Sequence, residues 1–417
     1  FLRPTESLTI FIQQLGRGLR KETGKDFVTV LDYVGHCKNE FNYVDRFRSL
    51  IGKTSMSVSE EFKKDFPHLP LNYKITLEPK AKEYILENIN YSIKSLNDVK
   101  IVQMINNFSR NHDMPLNLIN FTKVYNVDLS VLYKGRTWNS LCNSAGITTN
   151  FSRFNPMLSR AVYKKWLSVD SFSYFTFIEN LSTNGFKVDY NNFSPKEKLL
   201  ALMFYYDLFQ NENVYGSLQD MFDALSNDQE FAEEISQIMH ILISKCKVLE
   251  ECDNSVLRNS FPLMLHAQYT KDEIFVALHT STLEKKSTCR EGVERNKAMK
   301  IEAMFVDIIK DREAGSNTNY NDYAISNDLF HWETQNKVSP ESPAGLNYIN
   351  QTQTMLLFVR QQQTFPDDST RTMGYVYLGQ VFLKSYSGSK PMQIIWKLKD
   401  PIPASVSEYA ISWRSVG

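Results

Sequence analysis

The sequence has little that would suit the outside of a cell or a membrane. Its five cysteines are irregularly spaced, which fits a reducing cytoplasm better than a disulfide framework. No apolar run reaches the roughly 20 residues a membrane-spanning helix needs, and no signal peptide is visible. An excess of one charge is missing too: 47 basic residues meet 47 acidic ones, so there is no global basic field. A nucleic-acid partner would have to be held by local patches. Gly52-Lys53-Thr54 ends like a phosphate-cradling loop, but Phe47 stands where its first glycine belongs. Cys246 and Cys252 have no His or Cys partner at metal-ligand spacing and read as two buried thiols; no metal site is expected. His279, Ser281 and Cys289 are scattered polar residues that form no nucleophile–base set, so catalysis by this chain alone is not expected.

What is present begins with Gln13-Gln14-Leu15-Gly16-Arg17-Gly18-Leu19-Arg20. The pattern Gln-x-x-Gly-Arg-x-x-Arg reads as the last motif of a helicase-type ATPase. Gln13 and Gly16 would lie near the nucleotide, and Arg17 and Arg20 would face its γ-phosphate, where a planar guanidinium matches the spreading charge. A basic amphipathic helix is the plain alternative. The flanks favour the motor reading: an apolar lead-in from Ser7 to Ile12, a polar turn from Lys21 to Asp26, then Phe27 to Tyr33 as a buried strand. The expectation is the C-terminal part of a larger motor protein, with ATP and Mg serving the whole protein and no cofactor in this chain.

Four segments follow. Residues 1–52 would finish the second helicase lobe, and 53–70 are polar and end in Pro67 and Pro70, as a linker. Residues 71–263 carry helical periodicity, as at Val99 to Phe108, and read as a helical coupler. Within them, 114–121 and 128–133 resemble two short helices joined by a turn. Lys134, Arg136 and Trp138 follow, read as a helix-end cluster with a packing Trp rather than a DNA contact. Ser194-Pro195-Lys196-Glu197 is a capping box with proline at the first helical position, opening a helix to Phe209. Residues 264–417 turn to strands and loops. Thr270 caps a helix, and strands are expected at Met304 to Lys310, Phe330 to Thr334, Thr354 to Arg360, Gly374 to Ser385 and Met392 to Leu398. Glu313 to Asn321, Asn336 to Gly345 and Gln361 to Thr372 read as loops. The fold class is multidomain α+β, closing in a compact, curved, barrel-like sheet.

One constellation could carry recognition. Tyr320, Asp322 and Tyr323 lead into Leu329-Phe330-His331-Trp332-Glu333-Thr334-Gln335. A flipped base needs aromatic faces and hydrogen bonds to its Watson–Crick edge. Asp322, an acceptor only, suits a cytosine amine. Strand alternation puts Phe330, Trp332 and Thr334 on one face and His331, Glu333 and Gln335 on the other, so one face builds core and the other can line a site. Stacking is expected from Tyr320, Tyr323 or Trp332; a wholly core role for these aromatics is the competing reading. Lys285, Lys286, Arg290, Arg295 and Lys297 are the candidate DNA-backbone contacts.

With the motor motif, the segments Tyr320 to Ser326, Leu329 to Asn336, Phe358-Val359-Arg360 and Tyr377-Leu378-Gly379 resemble a bacterial family, the single-chain type IV restriction enzymes of the SauUSI type. Its members fuse a superfamily 2 helicase to a C-terminal target-recognition domain, and many add a phospholipase-D-like nuclease. The resemblance implies a RecA-like lobe end and an SRA-like base-flipping domain. It also implies double-stranded DNA bearing 5-methylcytosine or 5-hydroxymethylcytosine as partner, no membrane, and a homodimer as one form of the whole protein. A different class stays open: a regulatory or scaffold region of a helicase that binds a protein partner or its dimer mate.

Overall fold

The computed structural model describes residues 58–64, 66, 75–94, 96–148, 150–248, 260–289, 292–309 and 322–411, with positions 13, 17, 43, 47 and 50. It is a mixed α/β chain. The described residues hold 14 α-helices and a mixed sheet of eight strands that lies in the C-terminal part. Two compact units divide the chain, Phe1–Phe151 and Ser152–Gly417. The division thus falls at 151/152, and the boundary expected near 263 lies inside the second unit.

The first unit is helical where it is described. Helices α1 (Val58–Lys63), α2 (Pro79–Lys94), α3 (Asp98–Asn111), α4 (Leu118–Tyr125), α5 (Leu129–Leu132) and α6 (Trp138–Ser144) follow in order. Short polar residues start most of them: the side chains of Asn97, Asn117, Asp128 and Thr137 each accept a first-turn backbone N–H. The stretch expected as a linker contains α1. Phe62 and Phe66 are buried in a cluster with Tyr43, Phe47 and Ile85, so apolar burial overrides the polar composition there. Trp138 is buried against Phe121, with ring centroids 4.9 Å apart. Arg136 pairs with Asp98 and donates to the Val131 carbonyl, so this cluster is packing, as expected.

The second unit opens with helices α7 (Asn155–Lys164), α8 (Phe172–Thr183), α9 (Pro195–Phe209), α10 (Leu218–Leu225) and α11 (Gln229–Ile243). Helix α9 starts at the expected box: Ser194 Oγ accepts from Glu197 N, and Glu197 Oε2 accepts from Ser194 N. Its residues from Leu199 to Phe209 are almost all buried, so α9 is the central rod of this half.

The sheet follows. Its strands are β1 (Gln268–Tyr269), β2 (Val293–Asn296), β3 (Ile301–Asp307), β4 (Tyr323–Ala324), β5 (Leu329–Glu333), β6 (Thr354–Arg360), β9 (Tyr375–Ser387) and β10 (Gln393–Leu398). A separate hairpin pairs β7 (Thr364–Phe365) with β8 (Asp368–Thr372) inside the stretch expected as a loop. Helices α12 (Lys271–Ala277), α13 (Pro343–Asn350) and α14 (Ala404–Ala410) complete the chain. Strand order is β2-β3-β6-β9-β10-β5-β4, with β1 also on β9. Only β3 and β6 run parallel. Strands β2 and β4 are the two ends of this path, so among the described residues the sheet is not closed as a barrel.

Central strands are buried on both faces. Met304 and Val306 of β3, Met355, Leu357 and Val359 of β6, and Ile394 and Trp396 of β10 share one core with Tyr348 of α13 and Val406 of α14. Tyr348 packs edge-on against Trp332 and Trp396, with centroids 5.4 and 6.3 Å away, so α13 packs on the neighbouring strands β5 and β10. The opposite face carries Phe305, Phe358 and Tyr377, and Phe275 of α12 packs on Phe305. Helix α13 lies across the end of the loop expected at Asn336 to Gly345; Ser342 caps it and Pro343 fills its first turn. Among the described residues no helix is long and apolar enough to cross a membrane.

Candidate nucleic-acid interface

The structure brings four of the five basic candidates to one place. Lys285, Lys286, Arg295 and Lys297 line a single cleft of about 480 Å³, formed by the segment after α12 and by strand β2. Arg290 lies outside the described residues. Hydroxyls of Thr280, Ser287 and Thr288 and the amide of Asn296 complete a polar wall. His279 also lines it, held below the ordinary histidine value by burial and therefore neutral near pH 7. Glu294 and Cys289 line it too, and Glu294 Oε1 accepts from Ser287 Oγ at 2.8 Å. Four cations against one carboxylate, with hydroxyls, an amide and no aromatic plane beyond that imidazole, suit a phosphate oxygen better than a base.

Two of the cations are fixed by acids, one fully buried and one partly buried. Arg295 Nε and Nη2 both lie 2.6 Å from Glu302 Oε2, and Glu302 is fully buried in β3. Asn347 Nδ2 donates to the same oxygen at 2.7 Å. Lys286 Nζ donates to the Gln210 carbonyl at 2.9 Å and to Asp272 Oδ2 at 3.1 Å. Lys285 and Lys297, by contrast, are exposed and form no ion pair among the described residues. The cleft thus holds two positioned cations and two mobile-length ones.

Behind Lys286 stands a buried charge cluster that the sequence reading missed. Lys165 Nζ donates to Asp272 Oδ2 at 2.9 Å and to the Tyr206 carbonyl at 2.8 Å, and lies 3.5 Å from Asp207 Oδ1. Asp207 Oδ2 accepts from Trp166 Nε1 at 2.8 Å and from Tyr174 Oη at 2.7 Å. Burial raises the Glu273 carboxyl well above its usual value, and the neighbouring Asp207 charge adds to this. Burial raises Asp207 as well, and Asp207 Oδ1 and Glu273 Oε1 are buried without a hydrogen-bond partner. Burial would raise Asp272, but Lys165 and Lys286 hold it below the usual carboxylate range. Burial would lower Lys165, but Asp207 and Asp272 outweigh it. A signal for this was in the sequence: Asp207 interrupts the apolar run Phe204-Tyr205-Tyr206-Asp207-Leu208-Phe209, and Glu302 interrupts Ile301-Glu302-Ala303-Met304. An acid inside a buried run must have a partner.

The aromatic constellation sits at the other end of the sheet. Strand alternation runs as expected: Phe330, Trp332 and Thr334 are buried, while His331, Glu333 and Gln335 are partly exposed. Tyr323 stacks on His331, with centroids 4.8 Å apart and planes 17° from parallel, across the β4–β5 pair. Asp322 Oδ1 accepts from Glu333 N at 2.9 Å, so this carboxylate anchors β5 as well as facing its rim. Trp332 must be corrected. It is 5% exposed between Tyr348 and Trp396, and no base can reach its face. Tyr320 lies outside the described residues.

The cleft and the Tyr323–His331 pair are not adjacent. Strands β2 and β4 are six strand intervals apart along the sheet path, roughly 29 Å across a flat sheet and less across a curled one. In the N-terminal motif Gln13 and Arg17 are helical and exposed, four residues apart and so on one helix face; Gly16 and Arg20 lie outside the described residues. Cys246 is a free, half-buried thiol, raised to about 12 by burial and by Asp170. No group of three or more His, Cys, Asp or Glu that could hold a metal ion occurs among the described residues.

No curated protein matches the chain. Residues 263–410, which carry both the cleft and the aromatic pair, match the model of a family described as a domain of unknown function, DUF3427.

Proposed function

We propose that this chain is the coupling and target-reading region of an ATP-dependent type IV restriction endonuclease, and that it binds duplex DNA bearing 5-methylcytosine or 5-hydroxymethylcytosine by base flipping. The observation that carries the reading is the convergence of Lys285, Lys286, Arg295 and Lys297 on one cleft, with Arg295 held by the buried Glu302 and Lys286 by the partly buried Asp272. In this reading the cleft grips backbone phosphate, which fixes register without reading sequence. Tyr323 and His331 offer the stacking face, and Asp322 and Gln335 the polar rim around a flipped base. The C-terminal sheet would then be SRA-like in role, and the N-terminal segment the end of a RecA-like lobe. ATP and Mg would serve the whole protein there, with Gln13 and Arg17 turned toward the nucleotide phosphates.

The test is fluorescence anisotropy with two duplexes that differ only in one 5-methylcytosine. A methyl group in an apolar site gives about 1–3 kcal/mol, so the modified duplex should bind roughly 10- to 200-fold more tightly. Equal binding of the two removes the reader role, and a scaffold role for a protein partner or dimer mate takes its place.

A further inference from the structure

The cleft wall is tied to the helical half of the second unit through Lys286. Lys286 belongs to its wall, yet the ammonium is bonded to Gln210, which ends α9, and to Asp272 of α12. Asp272 Oδ2 is shared by two ammonium groups, those of Lys286 and Lys165. Lys165 in turn faces Asp207 in the middle of α9, and Asp207 holds the indole of Trp166 and the phenol of Tyr174. The chain of contacts runs without a gap from the cleft to the centre of the helical half. Lys286 and Lys165 stand against Asp272 and Asp207 along it.

We infer that Lys286 is the switch between this cleft and the helical half: a bound phosphate competes with Asp272 for its ammonium, and the disturbance passes through Lys165 to Asp207. The inference rests on the reading that the cleft takes DNA phosphate. The physical reason is the low dielectric of the site. When Lys286 turns toward a ligand, Asp207, fully buried, and Asp272, partly buried, are left with one cation between them. Lys165 must then move toward Asp272, and the Asp207 hydrogen bonds to Trp166 and Tyr174 adjust with it. A two-cation carboxylate is a natural junction here, because neither lysine can leave without changing the field at the other. The signal therefore leaves the sheet domain through residues of α9 and of the segment joining α7 to α8.

The indole N–H of Trp166 reports on this contact. The full chain, labelled with ¹⁵N-tryptophan, is titrated with a 5-methylcytosine duplex while anisotropy follows binding; Trp166→Phe assigns the resonance. The Trp166 signal should move along the binding curve, and that of Trp396, deep in the sheet core, should not. Lys286→Gln should keep duplex binding within about tenfold, lower the slope of log K against log salt by about 0.9, and abolish the Trp166 shift. Binding with an unmoved Trp166 signal, or with an equal shift in Lys286→Gln, overturns the switch and leaves the reader role standing. No binding of the duplex overturns both. If Lys286→Gln fails to fold, the wild-type titration decides the matter alone.

Discussion

The two ends of the sheet are built on opposite principles. At the β2–β3 end, charge at the surface is held by acids beneath it: Arg295 by Glu302, which is fully buried, and Lys286 by Asp272, which is partly buried. At the β4–β5 end, the surface pair Tyr323–His331 rests on an apolar layer of Phe330, Trp332 and Trp396. A cation that must meet a phosphate needs a fixed direction, and a buried acid supplies it at the cost of desolvation. An aromatic face that must accept a base needs only a flat support and open space above it. The comparison teaches that affinity and selectivity can sit on separate supports in one sheet.

The largest expected effect separates core from surface at the aromatic end. Trp332→Ala should cost about 3–5 kcal/mol of stability, read as a drop in the urea midpoint. A mild effect there would mean that Trp332 is not core and would reopen it as a stacking face. Glu302→Gln should come next, at about 2–3 kcal/mol. That lies below the usual cost of breaking a fully buried pair, because one-third of the Arg295 side chain is in water. It should also weaken duplex binding, since Arg295 loses its fixed direction. An unchanged affinity in the folded variant would show that anchoring is structural only.

Tyr323→Ala tests the other support. Stability should hold, and loss of one base–aromatic stack should cost about 1–3 kcal/mol of binding, concentrated on the modified duplex. An equal loss on plain DNA would make Tyr323 a general contact rather than a reader.

Much of this arrangement could be read from the sequence, and the exceptions have a common cause. Alternation in Leu329 to Gln335 is enough to assign the buried and exposed faces of β5, and Thr354–Arg360 is a strand with the expected bounds. The Ser194 and Thr270 caps both start helices. These are local rules: period, cap, turn. Trp332 was assigned both roles, and only packing against Tyr348 of α13 decides between them; α13 itself was read as loop despite Ser342 and Pro343. The anchors escaped for the same reason. Glu302 meets Arg295 across a hairpin, but Asp207 meets Glu273 from 66 positions away (207 to 273), and no local pattern marks such a meeting. The basic residues at 285–297 were legible as a patch because they are near in sequence; their shared wall was not.

The central claim is that the cation end supplies affinity and the aromatic end selectivity. Lys285→Ala with Lys297→Ala tests it most directly, because both residues are exposed and neither supports the core. The measurement is the affinity of this double variant for methylated and plain duplexes, each across a range of salt. The account predicts that both affinities fall together, that the slope of log K against log salt drops by about 1.8 for two lost phosphate contacts, and that the ratio between the two duplexes is unchanged. A changed ratio, or a salt slope equal to that of the wild type, would contradict it.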